Sequence, residues 1–404
     1  MNGTTIEDIQ SKIDAQLKRD HYPGDFPPLP DVPAARYHDA QFAAAEMQHM
    51  WKKTWLMVGV ESELALPGSY FLFEELNLSI IIRRDNDGRI GAFHNICPHR
   101  GSALVSEPRG KLARFVCPYH SWSFGLDGRM LAAPEAHEFA RLDKSATGLQ
   151  PVQCELWRGL IFVNLDPEAA PLADFMAPSL PYTEGFPLEG LVVQDILTME
   201  FDCNWKLAYH NFIEAYHTRA VHSKTLSHYI DQRSWQAYLL QNGHARIAVK
   251  RSNSDSIYLS DFPPPADIDA IFRKFSLCQV TFPNGFVALD PSGFAFQSFW
   301  PIGTNRCRMD IRMVGWEPKG TRPEYWEAIR AAMKTILAED AQIFTALQRN
   351  VESGFLNRIM FGYLERTLYW FEEELDRRIG IENIAPPLRV VKALEGQYLT
   401  KTSN

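Results

Sequence analysis

The rhythm of apolar and polar residues changes several times along the chain. Residues 6–18 place apolar side chains at helical spacing, and the proline-rich stretch HYPGDFPPLPDVP that follows excludes regular structure. A second helical stripe runs through Phe42, Met47, Met50 and Trp51 over residues 39–53. From about 54 to 165 the apolar runs become short and strand-like, as in SIIIRR and GLIFVNL, with DNDG at 85–88 and LDG at 126–128 between them. Asp-Gly between strand-like runs signals a hairpin, so this stretch predicts a small all-β unit. Beyond about 166 the pattern is mixed. Residues 205–226 read as a helix, 244–316 alternate like strands, and 323–350 and 360–378 read as amphipathic helices. The second unit is therefore expected to be α+β.

Composition narrows the class. A chain of 404 residues has room for two or three domains at about 150 residues each. The net charge is −8 and no block of Lys or Arg stands out, so nucleic acid is not an expected partner. No apolar run reaches the roughly 20 residues of a membrane span, and the polar N-terminus does not read as a signal peptide. Six scattered cysteines fit a reducing, cytoplasmic setting, where Cys serves metals or catalysis more than disulfides.

Two clusters carry chemistry. CPHRG at 97–101 and CPYHSW at 117–122 set Cys97, His99, Cys117 and His120 in a C-x-H then C-x-x-H pattern, seventeen residues apart, at loops of the β unit. Two Cys and two His can bind zinc, or hold a [2Fe–2S] cluster with two thiolates on one iron and two imidazoles on the other. Two matched loops, each donating one Cys and one His, suit the cluster, because common zinc spacings group like with like. The second cluster is NWKLAYHNFIEAYHTRAVH, residues 204–222. On a helix, Glu214 and His217 share a face, but His217 and His222 stand roughly 140° apart. They converge on one metal only if the helix ends or bulges between them. Two imidazoles with one carboxylate form a facial triad for ferrous iron. The helix at 323–350 offers candidates: Ile329, Met333, Ile336, Ile343, Phe344 and Leu347 form its apolar stripe, with Asp340 on the stripe and Glu339 on its flank. A carboxylate aimed into a core needs a partner, and a metal ion is one.

FHNICPHRGSAL, CPYHSWSFGLDGRM and the 204–222 segment together resemble the large subunits of Rieske non-haem iron oxygenases, over about residues 36–378. Two departures stand out: Ser121 replaces the family's usual Gly, and His210 its usual Glu. The resemblance implies a fold of an N-terminal Rieske [2Fe–2S] all-β domain, 45–165, and a helix-grip (START/Bet v1-like) catalytic domain with an antiparallel sheet, 166–404, against which 1–44 pack. It assigns Cys97, His99, Cys117 and His120 to the cluster and His217, His222 and Asp340 to mononuclear Fe(II). It places Asn211 near the iron and makes Glu214 an electron bridge to a Rieske His of the neighbouring subunit. The implied assembly is a homotrimer, with or without a small β subunit. The implied activity is that of a terminal oxygenase using O2 and NAD(P)H electrons. With no dinucleotide fingerprint in the chain, the electrons come from a partner reductase, with or without a ferredoxin.

Substrate is read from aromatic residues. Tyr258, Phe262, Phe282, Phe286, Phe294, Phe296 and Trp300 lie in the strand-rich region, and alternate members can line an apolar cavity. The expected reaction is hydroxylation, dihydroxylation or demethylation of an aromatic or other apolar small molecule. The same rings can hold a quaternary ammonium group by cation–π attraction, which makes a betaine- or carnitine-type monooxygenase the alternative. An electron-transfer protein is the non-enzyme alternative.

Overall fold

A computed structural model describes residues 5–252, 267–291, 293 and 295–399. The chain separates into two compact units, Lys52–Leu172 and Met1–Trp51 with Ala173–Asn404.

The first unit is all β. Its seven-stranded antiparallel sheet runs in the order Leu56–Val60, Leu160–Asn164, Pro151–Trp157, Ile90–His94, Ile80–Arg84, Ser69–Phe73 and Arg109–Lys111. The DNDG turn joins Ile80–Arg84 to Ile90–His94, with Gly88 at φ 83°, where a side chain would be strained. A three-stranded sheet, Phe115–Val116, Ser123–Phe124 and Met130–Ala132, carries the second Cys/His loop. Phe93, Leu104, Phe115, Phe124 and Leu126 pack around Cys97 and Cys117, so both thiols sit in a dry core.

The second unit is built on another seven-stranded antiparallel sheet. Its order is Val192–Phe201, Cys307–Gly315, Ala295–Pro301, Gly285–Leu289, Phe275–Thr281, Ala245–Arg251 and Ile230–Leu239. The long helix Pro323–Glu352 packs on Val192–Phe201 and on the short helix Trp205–Phe212. It buries Ile329, Met333, Ile336, Leu337, Asp340, Phe344, Gln348 and Val351. Ile343 and Leu347, expected on this stripe, are exposed, because each sits one position N-terminal to a buried residue of the stripe, Phe344 and Gln348.

The N-terminal segment is fastened to this unit by buried charge. Nε of Arg36 donates to Glu372 at 2.7 Å, and its Nη1 donates to Asp376 at 2.7 Å. Lys206 pairs with Glu46 at 2.5 Å. Each charge has its counter-charge, which a group removed from water requires. The helix Ala40–Ala45 continues as a π-helical turn, Glu46–Trp51, that swings Glu46 and Trp51 inward. Among the described residues no helix is long and apolar enough to cross a membrane.

Candidate metal centres and active site

The two loops of the β unit are built alike. In each, the cysteine N–H bonds a carbonyl five residues on, Cys97 to Ser102 and Cys117 to Trp122, both at 2.8 Å. The cysteine carbonyl accepts from the N–H four residues on, Gly101 at 2.9 Å and Ser121 at 3.0 Å. That closure requires a left-handed residue, and Gly101 at φ 78° and Ser121 at φ 59° supply it. The two thiols and two imidazoles are thereby carried on paired tight turns. The His99 and His120 rings lie 4.6 Å apart, and the indole of Trp122 stacks on His99 at 4.6 Å. Nδ1 of both histidines is buried without a hydrogen-bond partner. Buried polar nitrogens left open beside two thiols mark a ligand set.

The segment expected as one helix over 205–226 is two. The helix Trp205–Phe212, whose N-cap Asn204 accepts from the N–H of Lys206, stops at Phe212, and a single turn, Thr218–Val221, follows the break. His217 is the N-cap of that turn and His222 its C-cap. This interruption overcomes the roughly 140° that an unbroken helix would put between them. His217, His222 and Asp340 present ligand atoms within 4.8 Å of one another.

Each ring is held from behind. Glu214 accepts from Nδ1 of His217 and from the N–H groups of Tyr216 and His217. Nδ1 of His222 lies 2.7 Å from Oε2 of Glu339, which also accepts from Thr225 at 2.7 Å. With both Nδ1 atoms engaged, both Nε2 atoms turn to Asp340, at 3.9 Å from His217 and 3.0 Å from His222. Oδ1 of Asp340 is nevertheless left without a hydrogen bond. Burial pulls the pKa of His222 down, but its interactions with the Asp340 and Glu339 carboxylates outweigh that and raise it above the ordinary value. Two ring nitrogens and a carboxylate oxygen facing one point are the donor set of a divalent cation. The sequence put Glu339 on the flank of the apolar stripe; no spacing signal tied it to His222.

Glu214, His217, His222 and Asp340 line a cavity of about 190 Å³. Asn211, Phe212, Tyr229, Trp235 and Phe286 also line it, with Ile247, Val249 and Arg251 entering from alternate positions of one strand. Of the aromatic residues expected at the substrate, Phe286 is there. Phe282 and Trp300 are not. Phe282 lies just beyond its strand and packs on Phe371, and Trp300 faces away from the cavity toward Trp51. Tyr258, Phe262 and Phe294 lie outside the described residues. Tyr229 and Trp235 were missed because they come from the turn before the strand Ile230–Leu239 and from that strand, outside the aromatic-rich stretch. His210 is fully buried against Tyr37 and Phe371, 3.6 Å from Glu372, and burial pushes its pKa down to about 4.

Residues 54–150 match the Rieske [2Fe-2S] domain, and 188–381 match the ring hydroxylating alpha subunit catalytic domain. A carnitine monooxygenase oxygenase subunit of Escherichia coli is 33% identical over 261 residues, covering 63% of this chain and 67% of its own. The chain belongs to the Rieske non-haem iron oxygenases. The glycine betaine monooxygenase oxygenase subunit of Chromohalobacter salexigens is 35% identical over 202 residues, covering 50% of this chain. That match spans 45% of the relative, so this chain covers about half the length of such relatives. A solved quaternary ammonium Rieske monooxygenase superposes with a TM-score of 0.76 at 23% identity, over 89% of this chain and 99% of the other, a likeness of fold. The donor sets fit what a Rieske oxygenase carries: two thiols with two open imidazole nitrogens in one unit, and two imidazoles with an unpartnered carboxylate oxygen in the other.

Proposed function

We propose that the protein is the terminal component of an oxygenase system and oxygenates a small quaternary ammonium compound. The observation that carries this reading is the cavity. His217, His222 and Asp340 open onto it beside the rings of Phe212, Tyr229, Trp235 and Phe286. A trimethylammonium group offers no hydrogen-bond donor, so aromatic faces rather than polar groups suit it. The volume, about 190 Å³, is below the roughly 300–1,000 Å³ of sites for drug-sized ligands and selects a small molecule. The relatives named for carnitine and glycine betaine favour this substrate class over the aromatic one that sequence reasoning put first.

In this reading Cys97, His99, Cys117 and His120 hold the [2Fe–2S] cluster, and His217, His222 and Asp340 hold mononuclear iron. When bound, these groups supply electron transfer and O2 activation, with electrons drawn from NAD(P)H through a separate reductase. The chain's own residues do the positioning. Glu214 and Glu339 hold the two rings in the tautomer that leaves Nε2 free. Asn211, beside them, offers an amide to the reacting centre. The apolar walls exclude water from it. The subunits assemble head to tail in a three-fold ring, in which Glu214 faces a Rieske histidine of its neighbour.

The purified protein should show Rieske-type EPR and absorption, and with a reductase it should consume O2 on adding a quaternary ammonium compound. D340A should lose the mononuclear iron and turnover while keeping the cluster signal. Colourless protein with zinc in the Cys/His loops, or D340A with full iron and activity, would overturn the reading.

A further inference from the structure

Thr218, Thr225 and Ser227 stand around the two histidines, and two of their hydroxyls are committed. Thr225 donates to Glu339 at 2.7 Å, and Ser227 donates to the carbonyl of Thr218 at 3.0 Å. Thr218 itself follows the candidate ligand His217 in the chain. It is 3% exposed and lines the cavity beside His217 and His222. Its N–H donates to the carbonyl of Ala215 at 3.3 Å, and its carbonyl also accepts from the N–H of His222 at 2.9 Å. The residue is thus held between both ligand histidines. Among the described residues none pairs with its hydroxyl. Nor is that oxygen sealed in by close packing, as the indole Nε1 of Trp235 on the same wall is.

Local structure does not account for this hydroxyl. A threonine at the start of a helical turn commonly serves as its cap. Here the N-cap is His217, and no side chain caps the turn. A hydroxyl in an apolar wall gives up hydration and returns nothing until a partner arrives. Valine, branched in the same way, would fill the space without that cost. The partner must therefore be a hydrogen-bonding group that enters the cavity. A trimethylammonium group has neither a donor nor an acceptor to offer. The open side of the metal site, where an oxygen ligand enters, supplies the acceptor.

We propose that the hydroxyl of Thr218 is a hydrogen-bond donor to the ligand that takes the open side of His217, His222 and Asp340. This rests on the reading of those three residues as an iron site and adds a fourth residue to its chemistry. Two imidazoles with one carboxylate leave positions open for O2. Reduction of O2 places negative charge on oxygen. A neutral donor held in an apolar cavity stabilises that charge without bringing a counter-charge of its own. The competing fate is loss as hydrogen peroxide, in which O2 takes two electrons from the reductase and two protons from water. Thr218 favours retention of the oxygen until it reacts with the substrate.

The test uses three variants of the full chain. T218S keeps the hydroxyl, T218V keeps the shape without it, and T218A removes the hydroxyl and the methyl together. With Co(II) in place of the mononuclear iron, azide is titrated and followed in the visible spectrum of the cobalt. Azide is an anionic acceptor that stands in for reduced oxygen, and cobalt uptake absent from D340A assigns the metal to the triad. Per bound cobalt, azide should bind T218V and T218A at least 5-fold more weakly than wild type, and T218S within 2-fold of it. In the iron-loaded enzyme with its reductase, T218V and T218A should release at least 5-fold more peroxide per O2 consumed, while KM for the ammonium substrate moves less than 2-fold. Equal azide affinity in all four proteins would overturn the assignment. So would a raised KM with unchanged azide affinity, which would give the hydroxyl to the substrate. A loss in T218S as large as in T218V would overturn it too, because T218S retains the donor. A wild-type protein that takes up no Co(II) or Fe(II) at the triad would overturn the iron-site reading, and this inference with it.

Discussion

Oε2 of Glu339 lies 2.7 Å from Nδ1 of His222, so a carboxylate one position before the candidate ligand Asp340 fixes the ring facing that ligand. One turn of the long helix thus presents a carboxylate to each nitrogen of the same imidazole. Partial desolvation would raise the Glu339 carboxyl, but hydrogen bonds from His222 and Thr225 outweigh it and hold it below the usual carboxylate range. E339Q keeps the size and removes the charge. Partners of this kind are commonly worth 10–100-fold in metal affinity. E339Q should weaken Fe(II) or Co(II) binding by about that factor in a chelator competition, with the cluster spectrum unchanged. Wild-type affinity in E339Q would show that Glu339 only caps the loop through Thr225.

Ser121 gives a prediction in the β unit. It sits at φ 59°, matched by Gly101 at φ 78° in the sister loop. A non-glycine residue there costs about 1–3 kcal/mol, while Gly costs about 0.5–1 kcal/mol more in the unfolded chain. The first term is the larger. Ser121 is exposed, so no packing is lost on shortening it. S121G should therefore keep the cluster and raise the temperature at which its colour bleaches, by a few degrees, and S121V should lower it. A fall in S121G would mean that the hydroxyl makes an interaction that outweighs the backbone term.

Much of this architecture was legible in the chain, and the limits are physical. The paired turns were readable because the turn residues, the ligands and the closing hydrogen bonds all lie within six residues of one another. Asp340 was readable because a carboxylate on an apolar stripe breaks the period. The break after Phe212 was anticipated only as a geometric need of His217 and His222; local propensity favours an unbroken helix, and the convergence of the two rings is a tertiary fact. The cavity wall was least legible. Sheet residues alternate faces, so a one-residue offset separates Phe286, which lines the cavity, from its strand neighbours, and aromatic content cannot reveal which face is hollow.

His244 carries the pH prediction. It is fully buried, its Nε2 lies 3.0 Å from the carbonyl of Phe175, and its Nδ1 accepts from the N–H of Phe282 at 3.1 Å. An Nδ1 that accepts a backbone hydrogen bond has no room for a proton, and burial pushes the pKa down to about 3. The unfolded chain takes up that proton near pH 6.5. Unfolding thus binds a proton at any pH between about 6.5 and about 3. Stability from this group is complete above pH 6.5 and falls as the pH drops, by about 1.4 kcal/mol per pH unit. His210, pushed down to about 4 by burial, adds in the same direction over a narrower window. Urea midpoints should be flat from pH 8 to 7 and fall steeply from 6.5 to 5. H244Q should be less stable at pH 7.5 and show a shallower fall. An unchanged slope in H244Q would assign the acid sensitivity to other groups.

In the proposed three-fold ring, Glu214 links the two metal centres. Within one chain its carboxylate accepts three hydrogen bonds: two from the N–H groups of Tyr216 and His217, and one from Nδ1 of His217. A carboxylate offers about four lone-pair positions, so one remains for a donor from outside. In the proposed ring that donor is the cluster histidine His120 of a neighbouring subunit. In that proposal, the Glu214–His217 pair seen within the chain is one half of the bridge. E214Q preserves the volume and one oxygen. It replaces the other oxygen with an NH2 group, which cannot accept, and it removes the negative charge that draws a second imidazole in. If Glu214 only orients His217, the variant should lose mononuclear iron and retain the transfer rate per remaining iron. If it bridges, the variant should hold both metals and assemble normally, yet transfer electrons from reduced cluster to iron at least 100-fold more slowly in a single turnover. Iron content, sedimentation and rapid-mixing EPR on one preparation separate the two. Wild-type transfer in a fully loaded E214Q, or full activity in a monomer, would remove Glu214 from the electron path.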